Sequence, residues 1–143
     1  MRRSQGMGWN DDLIADVRAN GKATTGPFVG RDVLVLNTKG AKTGKDHPVP
    51  LVYSEDGGDL IIVASMGGAP KNPAWFHNLK ANPDVVVETG KQRWKAKAVI
   101  TPEAERVRLY EQHAVKNPGF RDYLKKTTRK IPVIRLKRAG AAS

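Results

Sequence analysis

Two polar, glycine-bearing segments interrupt otherwise apolar runs, and they are where this chain could do chemistry. The first, Thr38-Lys39-Gly40-Ala41-Lys42-Thr43-Gly44-Lys45-Asp46-His47-Pro48, lies between Val33-Leu34-Val35-Leu36 and Val49-Pro50-Leu51-Val52-Tyr53. A connector needs only a turn. This one adds lysines, a hydroxyl and two glycines, a mix that suits an anionic group held against exposed backbone N–H donors. The ligand it points to bears phosphate or carboxylate. The second segment, Ser65-Met66-Gly67-Gly68-Ala69-Pro70-Lys71-Asn72-Pro73, leaves a strand and enters a helix N-terminus. Its paired glycines would let backbone approach a ligand closely. Two such loops on neighbouring strands imply one cleft between them.

Other chemistries fail on spacing. Three residues rather than four separate Gly40 from Gly44, and Asp46 follows Lys45, so the turn is not a nucleotide-triphosphatase loop. His47, His77 and His113 are scattered singly and the chain has no cysteine, which argues against a metal centre. No nucleophile elbow surrounds Ser65.

At 143 residues the chain is expected to form one domain, residues 1–143, with its first 30 residues supplying a helix and a lid-like loop. No apolar run has the length of a membrane span, and the N-terminus lacks the apolar stretch of a signal peptide. With no cysteine, a cytoplasmic location is expected. The balance of 25 Lys+Arg against 14 Asp+Glu gives a net charge of +11, which attracts nucleic acid, an anionic membrane surface or a polyanionic small ligand alike. Eight of those cations fall between Arg121 and Arg138, against the single acid Asp122.

The elements that must position these segments can be read in turn. Asn10 as cap, Asp11 and Asp12 in the first turn and Gly21 at the end predict a helix over 10–20. The loop Thr24-Thr25-Gly26-Pro27-Phe28-Val29-Gly30 reads equally as a lid or a plain connector. Strands are predicted over 33–37, 49–54 and 60–65, with Glu55-Asp56-Gly57-Gly58 turning the last two into a hairpin. Their apolar runs are nearly continuous, so both faces should be covered. Asn72 as cap and Pro73 as first residue predict a short helix through Ala81. A second hairpin follows, over 85–89 and 93–100. Thr101-Pro102-Glu103 opens a helix to about Val115, a short helix covers 120–127, and 131–136 closes as a strand whose Pro132 suggests an edge or a bulge. About six mostly antiparallel strands with short helices between hairpins read as α+β built on a small barrel.

The run from Leu36 to Lys45, then Pro50-Leu51-Val52-Tyr53, then Val63 through Asn72-Pro73-Ala74-Trp75-Phe76-His77-Asn78-Leu79-Lys80-Ala81-Asn82-Pro83, resembles the deazaflavin-dependent nitroreductases. These are coenzyme F420-dependent oxidoreductases of actinobacteria with a split β-barrel fold of the FMN-binding type. The resemblance implies that Ala41, Lys42, Thr43, Gly44 and Lys45 hold the phosphate and carboxylates of the cofactor tail. It places His47, Pro48, Val49, Pro50, Leu51 and Val52 along the deazaflavin and its ribityl chain. Val63, Ala64, Ser65, Met66 and Ala74 would wall the ring, with Lys71 and Phe120 in the same cofactor-binding set. Ser65 and Tyr123 are the catalytic candidates, and no metal is implied. His47 stands where arginine is common, Met66 where lysine is, and Asn117 and Phe120 where the best-studied branch has tyrosines. Those changes weigh against activation of bulky nitroimidazoles.

The function so implied is hydride transfer from reduced F420 to an electron-poor small molecule, a quinone or nitro compound. The enzyme would act as monomer or homodimer, with no nucleic acid partner and with charge suited to peripheral contact with an anionic membrane. Two alternatives stand beside it: a small basic barrel that grips nucleic acid without catalysis, and a carrier of F420 or FMN. The first needs exposed aromatics, yet Trp75, Phe76 and Trp94 lie in patterns that look buried.

Overall fold

Val33-Leu34-Val35-Leu36 is apolar at every position because the strand it forms is covered on both faces. The computed structural model describes residues 8–41, 44–65, 68 and 71–141, so Lys42, Thr43 and Met66 lie outside the described residues. Strand β1 (Val33–Lys39) turns Val33 and Val35 towards helix α1 (Gly8–Asn20), where they pack with Leu13, Ile14 and Val17. Leu34 and Leu36 point the other way, into the main core. Burying each such side chain fully contributes about 1.5–3 kcal/mol, so one strand stabilises two layers at once.

The remaining strands are β2 (Asp46–Val52), β3 (Ser54–Asp56), β4 (Asp59–Val63), β5 (Asp84–Thr89), β6 (Gln92–Ile100) and β7 (Val133–Ala141). With β1 they make one curled antiparallel sheet in the order β2-β1-β5-β6-β7-β4-β3. The α+β split barrel read from the sequence is the observed fold. Its strand count is seven rather than about six, because the segment 49–54 is broken at Tyr53. Upstream of that residue β2 pairs with β1; downstream β3 pairs with β4. Consecutive strands thus occupy opposite edges of the sheet, and the chain crosses the split at Tyr53, whose N–H donates to the Asp32 carbonyl at 3.0 Å.

Helix α2 (Ala74–Ala81) sends Trp75, Phe76 and Leu79 into the main core, against Val87, Trp94 and Ile134. Its cap differs from expectation. Pro73 occupies the N-cap position with no side-chain hydrogen bond, and the Asn72 amide oxygen is taken by Arg129 instead. The next helix, α3 (Glu103–Lys116), is also preceded by its proline as cap; the Thr101 hydroxyl donates instead to the Val133 carbonyl at 2.9 Å. Helix α4 (Gly119–Lys126) follows at once. Leu109 and Tyr110 of α3 cover the outer face of β4 and β7, meeting Ile61, Val63 and Val133. Pro132 is neither in an edge strand nor at the bulge. It precedes β7, an inner strand, and the irregularity falls between Lys95 and Ala96 of β6.

The short edge strand β3 is held by charge. Arg135 of β7 donates to Asp56 at 2.7 Å, Asp59 at 3.1 Å and Glu105 at 2.7 Å, and Arg108 adds a bond to Asp56 at 3.1 Å. Hydrogen bonds from Arg108 and Arg135 lower the Asp56 carboxyl to about 2. A lowered folded value means that this stabilisation is full above the ordinary value of 3.8 and is lost as pH falls towards 2. Wild-type protein should therefore lose melting temperature across that interval, while Asp56→Asn should start lower at neutral pH and change less in acid. Identical acid profiles in thermal melts would remove Asp56 from the pairing.

Candidate functional site

The split leaves a cleft. Because β3 is only three residues long, Ile62 and Val63 of β4 pair with β7 alone, and β2 pairs with β1 alone. Between these uncovered edges lies a hollow of about 550 Å³. Val49, Pro50, Leu51 and Val52 form one wall, while Val63 and Ser65 close the β4 side. Phe120 and Tyr123 from α4 stand opposite, and Phe28 borders the hollow from the loop after α1. That size and this mostly apolar lining suit a planar organic molecule.

The α4 wall is an aromatic stack with a buried histidine behind it. The rings of Phe120 and Tyr123 meet edge-on at 5.0 Å, and the His113 ring meets Phe120 at 4.5 Å with an interplanar angle of 83°. The Tyr110 hydroxyl donates to the Phe120 carbonyl at 2.5 Å, and burial pushes its pKa up to about 12. His113 is fully buried; its Nδ1 shares a 2.9 Å hydrogen bond with the Ser54 hydroxyl, and its Nε2 has no partner. Burial, with Lys116 nearby, lowers its pKa from 6.5 to about 4. The ring is neutral at physiological pH. It therefore serves as an uncharged support for Phe120.

Ser65 is set at the end of β4 by Arg129, whose guanidinium donates to the Ser65 carbonyl at 2.9 Å and the Ala64 carbonyl at 3.2 Å. Gly68 has a φ of +83°, and a Cβ there would lie 2.9 Å from Lys126 Cβ and 3.3 Å from the Tyr123 carbonyl oxygen. This glycine thus admits the close approach of helix α4.

The described residues between β1 and β2 are held by their own bonds and by α2. Gly44, at φ +71°, donates to the Gly40 carbonyl, while Asn78 of α2 accepts from the Ala41 N–H and donates to the Thr38 hydroxyl, both at 3.1 Å. Lys39 pairs with Asp46 across the turn at 2.7 Å. Lys45, His47 and Pro48 are exposed between the turn and the cleft, and four residues of extended strand span about 13 Å. Lys71 and Ala74 are exposed on the approach to α2 and do not border the hollow. Ala64, expected at the ring, turns its side chain into the core and has no exposed surface, because strand alternation sends Val63 and Ser65 the other way.

Sequence reasoning missed Asn10, Leu13, Val33, Pro73 and Trp75 as cleft residues, and it named Phe28 only within a loop that read equally as a lid or a connector. Phe28 was the readable one, an aromatic in a glycine-flanked loop. That loop is tied at both ends. The Asp16 carboxylate accepts from the Thr24 N–H at 2.7 Å and the Thr24 hydroxyl at 2.5 Å, while Arg31 donates to the Asn117 amide oxygen at 2.9 Å.

A family model for F420H(2)-dependent quinone reductases matches residues 12–138. The chain belongs to that family. It is 42% identical over 108 residues to the F420H(2)-dependent quinone reductase Rv1261c of Mycobacterium tuberculosis, a match covering 73% of this chain and 72% of that one. A solved F420-H2 dependent reductase, FDR-A, superposes with a TM-score of 0.69 at 37% identity, over 75% of this chain and 95% of its own. A structure described as a domain-swapped dimer gives the same TM-score and identity, over 75% of this chain and 81% of its own.

This family member is an F420-dependent reductase, and reduced coenzyme F420 is its cofactor. The donor set fits that group: a mostly apolar hollow of about 550 Å³, a hydroxyl at one wall, and an extended strand leading from it to a cationic turn. No helix among the described residues is long and apolar enough to cross a membrane.

The buried His113 generates a pH dependence of its own. The unfolded chain takes up its proton near pH 6.5 and the folded chain only near 4, so stability is full above the first value and falls as pH drops towards the second. Urea midpoints measured across that range should slope downwards in wild-type protein and flatten in His113→Gln. A slope that survives the substitution would assign it to other groups.

Proposed function

We propose that this enzyme transfers a hydride from reduced F420 to a quinone, or to another electron-poor acceptor such as a nitro compound, within the cleft at the barrel's split. The observation that carries the reading is one continuous surface, in which β2 lines an apolar hollow at one end and leads to a lysine-bearing turn at the other. The relatives' designation as quinone reductases supports a quinone as acceptor. The resemblance assigns Ala41, Lys42, Thr43, Gly44 and Lys45 to the phosphate and carboxylates of the tail, and His47 through Val52 to the ribityl chain and ring.

When bound, F420 supplies a two-electron hydride donor, because carbon replaces nitrogen at ring position five. The chain's own groups supply the rest. Ser65 offers a hydroxyl at the β4 wall. Phe28 and Phe120 narrow the hollow and exclude water, which strengthens each polar contact inside it. Tyr123 lines the hollow from α4, and in this reading its phenolic O–H orients the acceptor and donates a proton to its oxygen. The nucleic acid reading lacks its platform: Trp75, Phe76 and Trp94 are only 8%, 6% and 4% exposed.

Spectral titration with F420 and FMN side by side tests the cofactor site. F420 should bind at micromolar concentration or tighter and more weakly as salt rises, because its tail is recognised by charge. FMN, which lacks the glutamates, should bind far more weakly. Lys42→Ala should lose about 1–3 kcal/mol of F420 binding, the range for a charge-assisted hydrogen bond left unmade. Preference for FMN would overturn the assignment, and unchanged affinity in the variant would move the tail elsewhere.

Tyr123→Phe tests the acceptor side. F420 affinity should be intact, and turnover with a quinone should fall by about 1–3 kcal/mol of transition-state stabilisation. Full turnover in a folded variant would leave Tyr123 as a packing residue.

A further inference from the structure

Arg129 lies in the loop between α4 and β7, and its half-buried guanidinium makes contacts that bear on the cleft rather than on the surface. Nη1 donates to the Ala64 carbonyl at 3.2 Å and to the Asn72 amide oxygen, and Nη2 donates to the Ser65 carbonyl at 2.9 Å. Its own N–H donates to the Thr127 hydroxyl at 3.1 Å, which shapes the loop that presents it.

The ladder explains why such a fork is needed. Pairing between β4 and β7 ends at Val63 opposite Val133, and one further bond joins the Ala64 N–H to the Pro132 carbonyl at 2.9 Å. Ala64 and Ser65 are nonetheless 0% and 6% exposed, so their carbonyls are buried beyond the end of the sheet. Buried carbonyls without donors are strongly disfavoured. Two parallel N–H groups of one planar guanidinium reach both carbonyls, which a lysine point charge does not. The third contact, to Asn72, holds the residue before Pro73 and Trp75, which line the same hollow. One side chain therefore orients the Ser65 wall and the entry to α2 together.

We propose that Arg129 is a positioning residue for the cofactor's ring: it sets Ser65, Pro73 and Trp75 in place for the deazaflavin and takes no part in holding the anionic tail. The inference rests on the reading that the cleft holds the deazaflavin.

The test compares Arg129→Gln, Arg129→Lys and Asn72→Ala with wild-type protein. Each is titrated by absorbance with F420 and with the same deazaflavin cut back to its ribityl chain, and thermal melts are recorded alongside. Arg129→Gln should weaken both ligands by the same factor, about tenfold, and equally at low and high salt. Arg129→Lys keeps the charge without the fork and should lose nearly as much; Asn72→Ala should lose about threefold. A lowered melting temperature with both affinities unchanged would make Arg129 purely structural and overturn the proposal. So would a loss seen with F420 but absent for the shortened ligand, since that marks a tail contact. Should Arg129→Gln fail to melt cooperatively, the other two variants decide, and wild-type affinities in both overturn it. Wild-type protein that binds neither ligand would sink the cleft reading and this proposal with it, whereas wild-type binding with unaltered variants sinks this proposal alone.

Discussion

An antiparallel sheet that curls without closing leaves two edges whose N–H and C=O groups have no ladder partner, and most of this structure answers that constraint. Here the two edge strands are neighbours in the chain, so β2 and β3 face the same gap from opposite sides with Tyr53 bridging them. Each edge is managed differently. The β3 edge is kept to three residues and tied down by Arg135 and Arg108. The β2 edge carries two prolines, Pro48 and Pro50, which have no N–H to leave unpaired. Between them a hollow remains that the chain does not fill. An edge that would otherwise invite pairing with another strand becomes the wall of that hollow.

The basic excess divides along the same lines. Part of it is structural: Arg135 donates to three carboxylates, Arg129 serves carbonyls at the end of β4, and Arg18 holds Glu88, which also accepts from Asn37 at 2.9 Å. Those guanidiniums each use several donors in a planar fork, a geometry that lysine cannot copy. Lysines predominate instead in the β1–β2 turn, as Lys39, Lys42 and Lys45, each a compact point charge rather than a planar fork. Net charge alone pointed to any polyanion. Sorting the cations by what they touch picks out the arginines that hold the fold.

The sequence by itself determined the element types and the ligand chemistry. Glycine and proline punctuation marked the ends of α2 and α3, apolar runs marked β1 and β4, and alternation marked the buried Trp94, Ala96 and Ala98 of β6. These signals are local, arising from backbone preference and from which face of an element is wet. The expectation of an anion at the turn is local in the same way, since it rests on a few adjacent lysines and glycines. Tertiary structure alone decided where the apolar run 49–54 breaks, because each half belongs to a different edge of the sheet. It decided which side of the Val63-Ala64-Ser65 alternation meets the core and which the hollow, that Gly68 makes room for α4, and that Asn72 answers Arg129 instead of capping a helix. It also joined Phe28, Trp75 and Phe120, from three separate segments, into one hollow. Each of these depends on a partner more than 40 residues away or on the curl of the whole sheet, and no local pattern encodes either.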